Sequence, residues 1–200
     1  SVVGAAPLAG RFRMTRLGMA RLGAVLAGGQ SSRFGSDKAL AELGGRTLIA
    51  RAVDVLSGWC DFVIVAGRET APAPCIPDWP RAGMGPLGGI AAALRYARDE
   101  NYDTVLTCGV DSLALPANLP DLLTPAPAYL ASQPVVGHWP ANAADAIESI
   151  LQGTGKHSML AVATAIGATA VKIETAPANI NTPADLAILQ GAAMERKNGI

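Results

Sequence analysis

Residues 22–38 read LGAVLAGGQSSRFGSDK: an apolar run from Leu22 to Ala27, two glycines, then a polar segment carrying Arg33 and Lys38. A short apolar run stopped by glycine is the pattern of a buried strand entering a loop. Gly28, Gly29 and Gly35 let the backbone turn tightly and come close to a ligand with no Cβ in the way. Successive amide donors in such a loop form a cradle for anionic oxygens. Ser31 and Ser32 add hydroxyls, and Arg33 and Lys38 bring two cations to the same segment. The spacing is neither G-x-G-x-x-G nor the pattern with glycine directly before lysine, which disfavours a dinucleotide-dependent dehydrogenase and a P-loop hydrolase. Arg33 also stands four residues before Asp37, a spacing that suits a plain surface ion pair.

Working outward, the chain alternates strand and helix patterns. Apolar residues recur at helical spacing over 47–56, and Asp61 to Ala66 (DFVIVA) is a β-branched run stopped by Gly67. Pro86 opens a segment of good helix formers reaching Arg98, and 103–110 is a further strand. Helices are expected over 118–123, 141–151 and 158–166, a strand over 169–173, and a last helix over 181–190 capped by Asn181 or Thr182. This alternation predicts an α/β fold: one Rossmann-like, three-layer αβα domain with a mostly parallel sheet. Ligands of such sheets lie beyond the carboxyl ends of the strands. The segments 28–38, 67–80 and Asp111 fall there. The expected division is a flexible tail over 1–23, with Met14 and Met19 as natural starts, and one domain over 24–195.

Composition narrows the function classes. Half of the 200 residues are hydrophobic, and the 16 basic side chains equal the 16 acidic ones, so no global charge recruits nucleic acid or a membrane surface. The distribution is uneven, at +6 over residues 1–51 and −5 over 52–130. A basic stretch followed by an acidic one suits an anionic ligand with a cation beside it, or ordinary solvated charge. Cys60, Cys75 and Cys108 form no CxxC, which argues against a disulfide framework and for a reducing cytoplasm. His138 and His157 are too few for a histidine metal cluster, and His138 reads as structural. Lys156 and His157 offer either surface charge or cations for an anionic acceptor. The longest uncharged stretch, 122–144, is interrupted by four prolines and cannot span a bilayer as a helix.

Asp111 follows the strand DTVLTCGV. A carboxylate at a strand end is often a turn cap. It also suits Mg²⁺, which binds through one or two carboxylates plus substrate phosphates. A phosphate cradle at Lys38 gives the second role a purpose.

The segment 26–38, GPLGGI at 85–90, the strand ending in Asp111 and NINTPADL at 179–186 occur in one order. Together they resemble the molybdenum cofactor guanylyltransferases of the wider nucleotidyltransferase family, over roughly Ala24 to Leu189. The resemblance implies that GMP is transferred from GTP to molybdopterin or its molybdenum form, with Mg²⁺ as cofactor and other molybdenum-cofactor proteins as further partners. It implies nucleotide contacts at Leu26, Ala27, Gly28, Gly29, Lys38, Asp78, Gly85 and Asp111. Lys38 would act on the phosphates with Arg33 beside it, and Asp111 would hold the metal. Gly85, Gly88 and Gly89 would bring the following helix close to the ligand, and Asn179 and Asn181 would lie near the acceptor. This chain departs from the family at Val65, where asparagine is common, in the neighbours of Asp111, and at Gln133-Pro134. A cytidylyltransferase, a transferase acting on another phosphorylated acceptor, and a nucleotide-binding regulator without turnover remain open alternatives.

Overall fold

A computed structural model describes residues 18–29, 34–35, 37–155, 157–174, 180 and 182–197. The strands are β1 (Arg21–Leu26), β2 (Glu42–Leu43), β3 (Arg46–Thr47), β4 (Phe62–Ala66), β5 (Cys75–Ile76), β6 (Thr104–Gly109), β7 (Ala128–Leu130), β8 (Gln133–Pro140) and β9 (Thr169–Val171). The helices are α1 (Leu48–Ser57), α2 (Pro86–Asp99), α3 (Leu119–Leu122), α4 (Ala144–Gln152), α5 (Met159–Ala165) and α6 (Pro183–Lys197). Seven strands form one sheet in the order β5-β4-β1-β6-β8-β7-β9, while β2 and β3 make a separate hairpin. Within the large sheet only the pairings of β8 with β6 and β7 are antiparallel. The expected mostly parallel αβα architecture is what forms.

Side-chain alternation along the strands builds the three layers. Leu22, Ala24, Ile64, Val105 and Trp139 point to one face and are covered by α2, α4 and α5. Val25, Val63, Val65, Leu106 and Cys108 point to the other, against α1 and α3. Val65 is wholly buried there, so its position belongs to the core and not to a ligand. Because α1 and α2 lie on opposite faces, the winding reverses between β1 and β6, where a crevice opens at the carboxyl ends.

Register sets the level of that crevice. Leu26 is paired with Ala66 on one side and Gly109 on the other. The loops beginning at Ala27, Gly67 and Val110 therefore leave the sheet side by side.

Several boundaries differ from expectation. β1 takes in Arg21–Gly23, the last residues of the expected tail; residues 1–17 lie outside the described residues. The stretch 122–144 holds β7 and β8, which the sequence pattern did not announce. Its prolines argue against a central strand, yet Pro134 and Pro140 sit near the two ends of β8 and the pairing with β7 is irregular at Tyr129/Leu130. α6 runs to Lys197 and begins with a reciprocal cap: Thr182 N–H donates to Asp185 Oδ2 at 2.8 Å, and Asp185 N–H donates to Thr182 Oγ1 at 3.2 Å.

β8 is held by a buried polar link. Trp139 Nε1 donates to Thr107 Oγ1 at 2.9 Å, and that hydroxyl donates to Val135 O at 2.7 Å. Thr107→Val keeps the shape but orphans the indole N–H, at an expected cost of about 1–3 kcal/mol. Urea unfolding should show a lower midpoint with an unchanged slope; an unchanged midpoint would mean the link contributes nothing.

Candidate functional site

Lys38 and Asp111, 73 residues apart, meet in the crevice. Lys38 Nζ donates to Asp111 Oδ2 at 2.7 Å and to Ile180 O at 3.0 Å. Both side chains are largely covered, at 15% and 21% exposure, so the pair is shielded from screening but open on one side. Asp37 places the lysine: its carboxylate accepts from Ala39 N–H at 3.1 Å and starts the short 3₁₀ turn Lys38–Leu40. Asp111 sits on a turn closed by Ser112, whose Oγ accepts from Gly109 N–H at 3.2 Å. Thus Ser112, one of the altered neighbours of Asp111, braces the loop.

Ile180 brings the late asparagine motif to the same point. It is fully buried with Phe34 and Leu48, and Leu186 and Leu189 of α6 pack against this small cluster. Asn179 and Asn181 themselves lie outside the described residues, as do Ser31, Ser32, Arg33 and Lys156. The carboxylate of Asp37, expected at ion-pair spacing from Arg33, is bonded by Arg68 at 3.0 and 2.6 Å. Sequence reading placed the segment 67–80 at the ligand end of the sheet but did not single out Arg68.

The glycines divide into two kinds. A Cβ on Gly28 would lie 2.6 Å from Asp78 Oδ2, and one on Gly67 would lie 2.9 Å from Asp78 Oδ1. A Cβ on Gly88 would meet Met84 Cβ at 2.8 Å and Asp78 Cβ at 3.3 Å, and one on Gly89 would meet Leu26 Cδ2 at 3.0 Å. These four glycines make room for Asp78 and its surroundings. At Gly88 and Gly89 the missing side chains let α2 pack closely against Met84, Asp78 and Leu26. Gly29, Gly35 and Gly85 have open space where a Cβ would be, so a ligand can approach there. Gly85 adopts φ +65°, a conformation that favours glycine, directly before Pro86 starts α2.

Leu26 ends β1, and the Ala27 N–H is spent on Ala66 O at 2.9 Å, whereas Gly28 and Gly29 after it are exposed. Asp78 is half-buried, and burial pushes its carboxyl above the ordinary carboxylate range. No other side chain bonds it among the described residues. Such a carboxylate is an open acceptor for a ligand's N–H or O–H donors.

The buried thiols and His138 lie away from this chemistry. Burial pushes the thiols of Cys60 and Cys108 up to about 12, so both stay protonated and poor nucleophiles. His138 is buried in a structural setting: its Nδ1–H donates to Leu123 O at 3.1 Å, and burial pushes its pKa below the ordinary imidazole value. His157 is exposed and bonds Gly153 O at 3.0 Å. No group of three or more metal-ligating side chains occurs among the described residues. Asp111 nonetheless suits a metal that arrives with phosphate. Oδ1 lies 2.6 Å from where a Cβ on Gly109 would be, in space that the glycine leaves free. No described helix is long and apolar enough to cross a membrane.

Residues 23–170 match the family described as MobA-like NTP transferase domain. A molybdenum cofactor guanylyltransferase of Acidiphilium cryptum is 39% identical over 81% of this chain and 90% of its own length. One from Rhizobium johnstonii is 35% identical over 82% of this chain and 88% of its own. The crystal structure of molybdopterin-guanine dinucleotide biosynthesis protein A from Archaeoglobus fulgidus superposes with a TM-score of 0.69. It is 20% identical and covers 87% of this chain and 99% of that one, a likeness of fold.

The burial of Asp78 has a consequence for stability. Its raised folded-state pKa means the folded chain binds a proton more tightly than the unfolded chain, so stability declines as pH rises through that window. Asp78→Asn should therefore melt above the parent at pH 7.5, with the gap shrinking towards pH 4. Thermal melts across that range check it, and a gap that grows on acidification would show that the carboxylate is stabilised where it stands.

Proposed function

The chain belongs to the MobA-like NTP transferase domain family, and from the site it carries we propose that it transfers GMP from GTP to molybdopterin or its molybdenum form. The observation that carries the reading is the 2.7 Å pairing of Lys38 with Asp111 at the winding reversal, beside a glycine-rich loop. The named guanylyltransferase activity of the relatives supports the choice of nucleotide and acceptor.

In this reading the triphosphate lies along the open loop at Gly28 and Gly29, near the N-terminus of α2 at Gly85. An oxygen of the acceptor's terminal phosphate attacks the α-phosphorus in line; the bond to the β-phosphate oxygen breaks and pyrophosphate leaves. Catalysis is chiefly positioning and charge stabilisation, since this transfer leaves little for a side-chain base to do. Lys38 moves its ammonium from Asp111 to the β- and γ-phosphates and stabilises the charge that builds on the leaving group. Arg33 is proposed beside it. Asp111 would hold Mg²⁺, which supplies charge neutralisation and polarisation of phosphate oxygens when bound. Asn179 and Asn181, flanking the buried Ile180, are proposed for the acceptor. GTP, molybdopterin and other molybdenum-cofactor proteins are the proposed partners, in the cytoplasm.

Asp78 is proposed to read the base. A carboxylate accepts from both N1–H and the 2-amino group of guanine, and among the described residues no side chain competes for it. A charge-assisted bidentate pair contributes about 1.5–3 kcal/mol.

Lys38→Ala should raise the barrier by about 2–4 kcal/mol, lowering kcat by roughly two to three decades. Asp111→Asn should abolish turnover at ordinary Mg²⁺ while weakening GTP binding less. Normal turnover in either variant, measured as pyrophosphate release with acceptor present, removes that residue from its role.

Base reading by Asp78 is checked by calorimetry with GTP and inosine triphosphate. Asp78→Ala should weaken GTP by about tenfold more than inosine triphosphate, which lacks the 2-amino group. Equal losses would move the contact to the ribose.

A further inference from the structure

Two consecutive residues after β4 grip both ends of the segment that runs from Gly28 to Lys38. At its start, a Cβ on Gly67 would come 2.5 Å from the Gly28 Cα, so the two backbones are in close contact. At its finish, the Arg68 guanidinium donates from Nη1 to Asp37 Oδ1 at 3.0 Å and from Nη2 to Oδ2 at 2.6 Å. Two parallel charge-assisted bonds fix direction as well as distance. The same carboxylate caps the turn that Lys38 opens. The hydrogen bond from Arg68 is the largest cause holding the Asp37 carboxyl below its ordinary range.

The pair is not there mainly for stability. Its side chains are 19% and 41% exposed, and exposed pairs contribute about 0–1 kcal/mol. What it does supply is a fixed distance between β4, rigid in the sheet, and the residue preceding Lys38. Arg68 bonds neither Asp111 nor Ile180, so its link to the reacting groups runs through Asp37.

We propose that the Arg68–Asp37 pair positions Lys38 for nucleotidyl transfer, making Arg68 a positioning residue of the site. The proposal rests on the reading of Lys38 as the cation of the leaving pyrophosphate. Misplacement of a catalytic group by about 1 Å can cost about a hundredfold in rate, so a pair of little weight in stability can carry weight in kcat.

The test is steady-state kinetics of the full chain with GTP, Mg²⁺ and molybdopterin, for Arg68→Met, Arg68→Lys, Asp37→Asn, Lys38→Ala and the doubles. Arg68→Met should lower kcat by about ten- to a hundredfold while moving KM for GTP less than about threefold. Arg68→Lys should recover part of that loss, because an ammonium still reaches one carboxylate oxygen. Arg68→Met with Asp37→Asn should be no slower than the slower single. Placed in Lys38→Ala, Arg68→Met should cost nothing more, since no ammonium remains to be placed. A further loss in that background, or a raised KM with kcat unchanged, overturns the proposal and makes Arg68 a direct substrate contact. If Arg68→Met melts below the assay temperature, Arg68→Lys and Asp37→Asn decide it by the same criteria. Full turnover in Lys38→Ala would instead sink the underlying reading. An inactive Lys38→Ala beside a fully active Arg68→Met sinks only the positioning role.

Discussion

The Lys38 ammonium joins three distant stretches of chain: its own turn, the loop after β6 through Asp111, and the approach to α6 through Ile180 O. Each would otherwise leave the sheet independently. Burying most of a lysine–aspartate pair is costly unless the geometry is good and further bonds complete it. Here the Ile180 carbonyl takes a second ammonium proton, and the apolar cluster of Phe34, Leu48 and Ile180 holds that carbonyl in place. The pair is therefore weak evidence for stability and better evidence for chemistry. In the proposed reaction, a triphosphate arriving with Mg²⁺ would offer each partner a replacement, phosphate oxygens for the lysine and the ion for the carboxylate.

Asp78 shows the opposite arrangement. Gly28 and Gly67 clear the space for one carboxylate, which then receives no bond from the rest of the described chain. Burial without a partner disfavours the charged form. A chain built only for stability would fill this space with an apolar side chain. Keeping the carboxylate makes sense if a ligand's donors complete it, so local stability is given up for recognition.

Much of this was legible in residues 22–38 and in the order of the later motifs. The run Leu22–Ala27 ends in glycines because a buried strand must turn out of the sheet there, and Lys38 and Asp111 carry charges that the interior would not otherwise keep. The β7–β8 hairpin was not legible, since four prolines in a short uncharged stretch argue against strands unless tertiary pairing overrides them. Arg68 was also hidden. Its importance depends on which carboxylate it meets across the loop, and Asp37 is 31 residues away. Nor could spacing say which glycines border open space and which pack against Asp78. That distinction exists only once β1, β4 and α2 are packed together.

The central claim is that this fold joins GMP to a pterin phosphate. The most direct measurement supplies the purified chain with molybdopterin, Mg²⁺ and each nucleoside triphosphate in turn, and identifies the product by mass. The account predicts a guanine dinucleotide and pyrophosphate with GTP, and neither product with CTP, ATP or UTP. A cytidine adduct, or GTP bound tightly with no product at all, would contradict it.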